Sequence, residues 1–483
     1  MADSRPNVLM FMTDQLRYDA LACNGSPVAH TPNFDAVASR GVRCTDAFSQ
    51  HSVCGPSRVS MLTGWYPHVA GHRTLTNLVK PYEPNLFALL RDAGYHVAWA
   101  GERGDMFAPG VADASTDRRG FAITPIVLTE PSPFGPDDPW FAAHYHGRRD
   151  GGADGPTLDF DEASVRTAIE WITDGLPEPW CLLIALIFPH PPFVAEEPWF
   201  SMHDRATMPA PAPWVPDGKP RFMQALRTRY GTGDFDESRW AEIAATYHGM
   251  VSRADDQLGR VLSAVDHAGQ GERTMTWCFT DHGEYLGDHG LVEKWPSGQH
   301  DVLLRNPLLV AGPGVAEGAT CDALIEMVDL LPTLLDVADG EARHTHFGRS
   351  LVEVLADPSK DHRTHAFAEG GFLLAEGHLL EQARGAYAPK AAQQHDDPVS
   401  VGKAMSVRTH THSYVHRLYE APELYDLVDD PYETVNLAGR PEVADVEAAL
   451  RAELMEWMLA TTDVIPWDKD PRFEPTMLEL FAR

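Results

Sequence analysis

Basic residues are scarce in this sequence. Lys and Arg together number 39 against 70 Asp and Glu, which gives a formal net charge of −31 at pH 7. Because contacts to nucleic-acid phosphates require a basic surface, this balance argues against nucleic acid as a partner. An anionic substrate would need a local group of positive side chains, since the long-range field of so acidic a protein repels it.

The sequence also has no closely spaced cysteines and no long apolar run. Its six cysteines are scattered, without CxxC or zinc-ligand spacing, so we predict no disulfide framework and a reducing compartment. No stretch of about 18 apolar residues is present to span a membrane. Residues Met1–Asn7 lack the charged and apolar regions of a signal peptide. We therefore expect a cytoplasmic protein that does not bind membranes.

The apolar residues indicate an α/β fold. Hydrophobic residues make up 43% of the 483 residues, which is enough for one large and one smaller domain. Apolar runs at Asn7–Met12, Trp180–Phe188 and Thr274–Thr280 are typical of buried strands. The segment Trp240–Val265 has the periodicity of a long amphipathic helix. Beyond about residue 360 shorter, alternating segments predict a small antiparallel sheet, with a helix near 442–460.

Polar side chains follow several of the predicted strands. In open α/β sheets, ligands bind outside the carboxyl ends of the strands, so such residues are candidates for a site. Each of them alone fits equally well as part of a turn. The candidates are Asp14 after the first strand, Arg103 and Asp105 after a strand at His96–Ala100, His190 after Trp180–Phe188, and Asp281 and His282 after Thr274–Thr280.

The segment at residues 52–64, SVCGPSRVSMLTG, has the features of a reactive site. Pro56 suits the first turn of a helix, where its missing N–H would be unbonded anyway. We therefore expect Cys54 just before the helix, at its positive end, where a nucleophile or an anion is favoured. Arg58 lies one turn further on and suits a tetrahedral oxyanion. A lone cysteine would more often be a buried structural residue.

The whole pattern C-x-P-S-R-x-S-x-x-T-G resembles the signature of the formylglycine-dependent sulfatases of the alkaline phosphatase superfamily. The resemblance extends from about Asn7 to Ala438. It implies that a formylglycine-generating enzyme oxidises Cys54 after translation and that the hydrated aldehyde is the nucleophile. It also implies a large mixed, mostly parallel sheet flanked by helices in residues 1–360. A smaller α+β domain in residues 361–483 would complete the active-site cleft.

The resemblance further implies a metal site and a set of catalytic groups. One divalent metal ion would be held by Asp14, modified Cys54, Asp281 and His282. Oxygen-rich ligation favours Ca²⁺, and the imidazole keeps Mn²⁺ and Zn²⁺ open. The remaining roles would fall to Arg58 on the ester oxygens, Arg103 and Lys294 on the remaining charge, and His190 or Lys294 as proton donor to the leaving alcohol.

Four positions depart from the common family pattern. Arg103 and Asp105 stand where a Gly-Lys pair and a polar residue, often His, are usual. Gln15 stands where many sulfatases have a second acidic residue, and His282 stands where many have Asn. The histidine version occurs in the phosphonate and phosphodiester branch and in some sulfatases.

These departures leave several functions open. We predict a sulfuric ester hydrolase that acts on a small-molecule sulfate ester. The alternative is a phosphonate monoester or phosphodiester hydrolase on the same site. A metal-bound relative without activity, and a Cys54 that stays a thiol, are further readings. We expect the segments 108–156 and 195–235 to select the alcohol. The oligomeric state is open, and a homo-oligomer is one option.

Overall fold

A nine-stranded mixed sheet forms the centre of the molecule. The computed structural model describes residues 5–127, 131–152 and 155–462. The strands are β1 (Asn7–Asp14), β2 (Gly41–Phe48), β3 (His96–Ala100), β4 (Arg118–Gly120), β5 (Tyr145–Arg148), β6 (Trp180–Pro189), β7 (Phe193–Ala195), β8 (Thr274–Thr280), β9 (Arg305–Ala311), β10 (Ala319–Cys321), β11 (Ile325–Glu326), β12 (Ala366–Gly370), β13 (Ala404–Arg408), β14 (His412–Arg417) and β15 (Glu423–Asp426).

The order of the strands confirms the predicted topology. The main sheet runs β10-β2-β9-β8-β1-β6-β3-β4, and β11 extends the pairing of β2. Strand β9 is antiparallel to both β2 and β8, and the other neighbours are parallel. The sheet is therefore mixed and mostly parallel. Strands β3, β6, β1 and β8 all end at the same edge, which is where ligands bind in such sheets.

Helices cover both faces of the sheet. None of those in the described part of the chain is long and apolar enough to cross a membrane. The α-helices are α1 (Pro32–Arg40), α2 (Cys54–Thr63), α3 (Pro67–Ala70), α4 (Leu86–Asp92), α5 (Val111–Ser115), α6 (Pro139–Ala142), α7 (Phe160–Asp174), α8 (Trp199–Met202), α9 (Arg221–Tyr230), α10 (Glu237–His267), α11 (Asp301–Leu304), α12 (Leu330–Val337), α13 (Val352–Ala356), α14 (Ala388–Asp396) and α15 (Ala444–Thr461).

Strand β1 contains a continuous apolar run because both of its faces are buried. Successive side chains of a strand point to opposite faces. Leu9 and Phe11 pack in the layer that contains α7 and α10. Val8 and Met10 pack in the layer that contains α2, α4 and α12. All eight residues of β1 are buried, because both faces of the strand are covered. The strand is longer than predicted, and Asp14 is its last residue rather than the residue after it.

A second, four-stranded antiparallel sheet lies beyond residue 360. It has the order β12-β13-β14-β15, and α15 packs on β13 and β14. The predicted small sheet and C-terminal helix are therefore present, the helix starting two residues later than expected. The boundary at 360 stays a prediction, and residues 463–483 lie outside the described residues. Within the segment 108–156, strand β5 pairs with β7 and strand β4 joins the edge of the main sheet.

A buried ion cluster joins the two sheets. Arg363 contacts Glu326 at 2.8 Å and bonds to both carboxylate oxygens of Asp329. Glu326 accepts a hydrogen bond from the backbone N–H of Phe367 in β12 at 2.8 Å. Both carboxylates are fully buried. One guanidinium therefore compensates two buried charges where the chain passes from the main sheet to the second one.

We predict that Arg363→Met destabilises the protein by about 3–5 kcal/mol, because two buried carboxylates lose their counter-ion. The denaturation midpoint in urea would measure this change. Arg349→Met is the matched control. Its guanidinium is exposed and bonds to the carbonyl of His362 at 3.1 Å, so its effect should stay within about 0.5 kcal/mol. Equal shifts for the two variants would contradict the assignment.

Candidate functional site

Helix α2 begins at Cys54 itself, not after it as expected. Val53 is the extended N-cap residue, and Pro56 lies in the first turn, where no intrahelical partner for its nitrogen exists. The hydroxyl of Ser57 donates to the carbonyl of Asp281 at 2.6 Å. This bond fixes the start of the helix against the end of β8. Cys54 is therefore held at the helix N-terminus and at the ligand-binding edge of the sheet.

The four predicted metal ligands converge at this edge. One ligand atom from each of Asp14, Cys54, Asp281 and His282 lies within 4.8 Å of all the others. Cys54 Sγ is 3.6 Å from Asp14 Oδ1 and 3.2 Å from His282 Nε2. His282 Nε2 is 3.7 Å from Asp14 Oδ1 and 3.8 Å from Asp281 Oδ1. The parallel pairing of Thr13 with Thr280 brings the two strand ends side by side.

The residues present fit a metal ion. Bonds of about 2.0–2.6 Å to one cation place its ligand atoms roughly 3–4 Å apart, as here. His282 Nδ1 lies 2.9 Å from the carbonyl of Gly283, which assigns the proton to Nδ1 and directs the Nε2 lone pair at the cluster. Burial lowers the pKa of His282, which favours the neutral imidazole that metals bind. The sulfur of Cys54 occupies the place that an oxygen of formylglycine would take.

Arg58 does not contact the cleft in the way the sequence predicts. Its guanidinium bonds to Asp281 Oδ2 at 2.8 Å, to Asp14 Oδ2 at 2.8 Å and to Asp105 Oδ1 at 2.9 Å. It is 1% exposed and is not among the described residues that line the cleft. Its nitrogens are occupied by carboxylates, so an ester oxygen would have to displace one of them. Arg58 instead orients the two carboxylates of the cluster.

A cleft of about 790 Å³ opens next to Cys54. The predicted residues Arg103, His190 and Lys294 all line it. Arg103 Nη1 is 2.5 Å from Asp14 Oδ2, and His190 Nδ1 is 2.6 Å from the carbonyl of Pro191. Lys294 Nζ donates to Gln15 Oε1 at 2.6 Å. Gln15 therefore positions a lysine, and it is not among the four grouped ligand residues.

The cleft also contains three residues that the sequence did not suggest. Glu293 is fully buried and contacts Lys294 Nζ at 2.9 Å and Lys390 Nζ at 2.8 Å. Tyr387 precedes α14 and lines the same cleft. Glu293 adjoins Lys294 and so had a sequence signal. Lys390 and Tyr387 belong to no motif and reach the site only through the fold.

The expectation about the specificity segments needs correction. No residue of the segment 195–235 is among the described residues that line the cleft. The outer wall comes instead from the segment 372–390, which lies beyond β12. Residues of the segment 108–156 line a second cavity that shares His190 with the cleft. The choice of the segment 195–235 failed because loop composition does not show which loops fold over the edge of the sheet.

Burial and neighbouring charges shift the pKa values of the residues in the cleft. Burial alone would raise the pKa of Asp14, but Arg103, His190 and Arg58 hold that pKa well below its usual range. Burial, and then the charge of Lys294, lowers the pKa of His190 to about 3. The imidazole is therefore neutral near pH 7. A bound anionic ester would oppose this shift, because negative charge favours the imidazolium form.

The similarity of the chain to known proteins agrees with this geometry. Residues 6–340 match the family model described as "Sulfatase", which is more than half of the chain. The chain belongs to the sulfatase family. The sulfatase signature at Cys54 and the strand-end residues Asp14 and Asp281 lie within the matched region. The resemblance seen in the sequence is thereby confirmed, and the protein is an enzyme of this family.

Several relatives cover nearly the whole sulfatase chain. It is 28% identical to the "Multifunctional alkaline phosphatase superfamily protein PehA" of Trinickia caryophylli, with 95% of this chain and 96% of that protein covered. It is 26% identical to the choline-sulfatase of Rhizobium meliloti (strain 1021), with 94% and 86% covered. The crystal structure of the phosphonate monoester hydrolase of Agrobacterium radiobacter has a TM-score of 0.74 at 24% identity, with 95% of this chain and 96% of that chain covered. This last likeness confirms the fold.

We predict that Ca²⁺ stabilises the protein against heat and that Asp14→Asn removes this effect. A ligand at 100 times its Kd stabilises by about 2.7 kcal/mol, which thermal unfolding with and without chelator would detect. Asp105→Asn is the matched control, since Asp105 bonds to the same Arg58 but is not one of the four grouped ligand residues. It should keep most of the shift. An unchanged shift in Asp14→Asn would contradict the ligand assignment.

Proposed function

We propose that this protein hydrolyses a small-molecule sulfate ester to sulfate and an alcohol, using formylglycine made from Cys54. The observation that supports the proposal most directly is the placement of Cys54. It stands at a helix N-terminus, within 4 Å of Asp14 and His282, and lines the same cleft as Arg103, His190 and Lys294. The six described cysteines are free, which suits the reducing compartment that we also propose.

The height of the activation barrier for ester hydrolysis decides which catalytic contributions are required. Hydrolysis of such esters is so slow that an enzyme must remove on the order of 20 kcal/mol. One general acid supplies only ~10²–10⁴-fold, so a positioned nucleophile and strong charge stabilisation are also required. The hydrated aldehyde would supply the nucleophile and could release sulfate by re-forming the aldehyde. A divalent cation, which we propose to be Ca²⁺, would polarise the ester oxygens and acidify the nucleophile.

The side chains around Cys54 have distinct roles in this proposal. Asp14, Asp281 and His282 would hold the cation, and Arg58 keeps the two carboxylates oriented. Burial lowers the pKa of Lys294, but Cys54 and then the carboxylates of Glu293 and Asp14 outweigh it and raise that pKa well above its usual value. Lys294 and Arg103 would neutralise the sulfate oxygens.

His190 is placed to protonate the leaving alcohol. Its Nδ1–H is held by the carbonyl of Pro191, so Nε2 is the atom that gains and loses a proton. Lys294 Nζ is held by Gln15 and Glu293, is 4% exposed, and lies deeper beside the nucleophile. We therefore assign the proton to His190 and the sulfate charge to Lys294. The two candidates for proton donor that the sequence left open thus receive different roles.

A phosphonate monoester or phosphodiester is the second candidate substrate. The neutral Gln15 and the ligand candidate His282 give the site one less carboxylate and one more imidazole than many sulfatases have. The relative PehA is described as multifunctional, which supports this candidate as well. Sulfate remains the first choice because the resemblance implies a Tyr/Thr-rich segment near residue 103 for the phosphonate branch, and this chain lacks it.

Mass spectrometry of the peptide that carries Cys54 should show formylglycine when the protein is made with its generating enzyme. We predict that turnover of 4-nitrophenyl sulfate rises in proportion to the converted fraction. Cys54→Ser should reduce turnover to background while its Ca²⁺-free fold stays intact by circular dichroism. The same samples would be tested on bis(4-nitrophenyl) phosphate and 4-nitrophenyl phenylphosphonate. Faster cleavage of either would establish the second candidate, and a fully converted sample inactive on all three would contradict both.

Esters with different leaving groups would distinguish the role of His190 from that of Lys294. We predict that His190→Gln lowers kcat for an alkyl sulfate by about 10²–10⁴-fold and for 4-nitrophenyl sulfate far less, because a phenolate with a low pKa leaves without a proton. Lys294→Met should lower kcat for both esters by a similar factor. Steady-state kinetics on the two esters would measure this. A dependence on the leaving group for Lys294→Met alone would reverse the assignment.

A further inference from the structure

A second cavity of about 570 Å³ lies beside the catalytic cleft. The two spaces share four residues: Arg103, His190, Arg384 and Tyr387. We call this cavity the side chamber. Its volume is within the range of small-molecule pockets, roughly 300–1,000 Å³. The side chamber therefore meets the cleft at the residue that we assign as proton donor.

The wall of the side chamber is largely apolar. Phe141, Phe160, Ile187, Phe188 and Val194 form much of it. Aromatic and aliphatic walls of this kind favour the uncharged body of a ligand, because a charge transferred there loses its hydration without compensation.

Two charged groups on this wall, Arg149 and Asp161, have partners within the protein. Arg149 bonds to Asp159 at 2.6 Å and to Glu196 at 2.7 Å. Asp161 accepts hydrogen bonds from the backbone N–H groups of Ile187 at 2.6 Å and Phe188 at 2.9 Å. Arg384 is exposed and borders the cleft as well. The interior of the side chamber is therefore poorly suited to an ionic ligand.

Tyr387 supplies a polar group at the junction. Its ring centroid is 4.4 Å from that of His144 and 6.4 Å from that of His190. Its hydroxyl oxygen is buried and has no hydrogen-bond partner among the described residues. Burial, and then Glu293, raises the pKa of Tyr387 well above its usual value, so the hydroxyl remains a donor. An unsatisfied buried donor is costly, and a ligand oxygen at the junction would satisfy it.

We propose that the side chamber binds the alcohol part of the substrate, that this alcohol is uncharged and aromatic or otherwise apolar, and that the Tyr387 hydroxyl donates to its oxygen. This inference rests on the proposed function, since it concerns the group that leaves the sulfur. The leaving oxygen must lie within reach of His190, which borders both spaces. The cleft itself is bordered by ion pairs such as Arg73–Glu376 and Lys390–Glu293, so an apolar body gains more in the side chamber.

Two alanines in one loop provide a matched test. Ala386 lines the side chamber only and Ala383 lines the cleft only, and both are half-buried. The probe is 2-naphthol, whose own fluorescence reports binding to the full-length protein without any turnover. Ala386→Trp should weaken its binding at least tenfold, whereas Ala383→Trp should change it less than threefold. The Ki of inorganic sulfate in Ala386→Trp should stay within twofold of the parent value.

Turnover supplies a second readout with the formylglycine-bearing enzyme. The kcat/KM for 2-naphthyl sulfate should exceed that for 6-carboxy-2-naphthyl sulfate at least tenfold, since the carboxylate would enter the apolar interior. Tyr387→Phe should lower kcat/KM for 2-naphthyl sulfate about tenfold. If 2-naphthol binds, Ala386→Trp blocks this binding and no sulfate ester is cleaved, the proposed function is rejected. The assignment of the side chamber as a binding site for an apolar alcohol would then be retained. Equal effects of the two tryptophan variants, or a preference for the carboxylated ester, would overturn this inference.

Discussion

The contact between Arg58 and two buried carboxylates is the interaction on which the site depends. Asp14 and Asp281 end or follow neighbouring parallel strands, so their charges are forced close together inside the protein. Two such carboxylates repel each other unless a positive charge lies between them. Arg58 bonds one oxygen of each and leaves the other oxygen for the cluster. Because Arg58 is one turn after Cys54 on α2, the same helix presents both the nucleophile and this counter-ion.

Pairing between cationic side chains and buried carboxylates also explains how an acidic protein forms a cationic cleft. The net charge of −31 opposes an approaching anion, so attraction must come from groups at short range. Arg103, Lys294 and Lys390 line the cleft, and each is held by a buried carboxylate. Such a pairing fixes a long side chain in one geometry. Fixed charges can stabilise a transition state without reorganising, which mobile surface lysines cannot do.

The parts of this structure that follow local rules were predictable from the sequence. The apolar runs of β1, β6 and β8 required burial on both faces, and the polar residues after them could only lie at the sheet edge. The start of α2 was displaced by one residue, because the pattern places Pro56 in the first turn without fixing its position within that turn. The partners of Arg58 were not predictable, because its three bonds depend on how the helix docks against two strands. Lys390 and Tyr387 were missed for the same reason, since nearly 100 residues separate them from Lys294.

The residues around Cys54 and the residues of the side chamber come from different parts of the fold. Asp14, Asp281 and His282 lie at or just after the ends of central strands and Cys54 lies at the start of α2, whereas Lys294 lies in the loop between β8 and α11. The groups that face the alcohol come from the segment 372–390 and from loops near β5 and β7. Glu293 connects the two sets, because one carboxylate holds Lys294 from the first and Lys390 from the second. The wall that selects the alcohol can therefore change in sequence while the nucleophile and its ligands stay in place. The motif at Cys54 identifies the family, and the folded chain shows which segments line the cleft and the side chamber beside it.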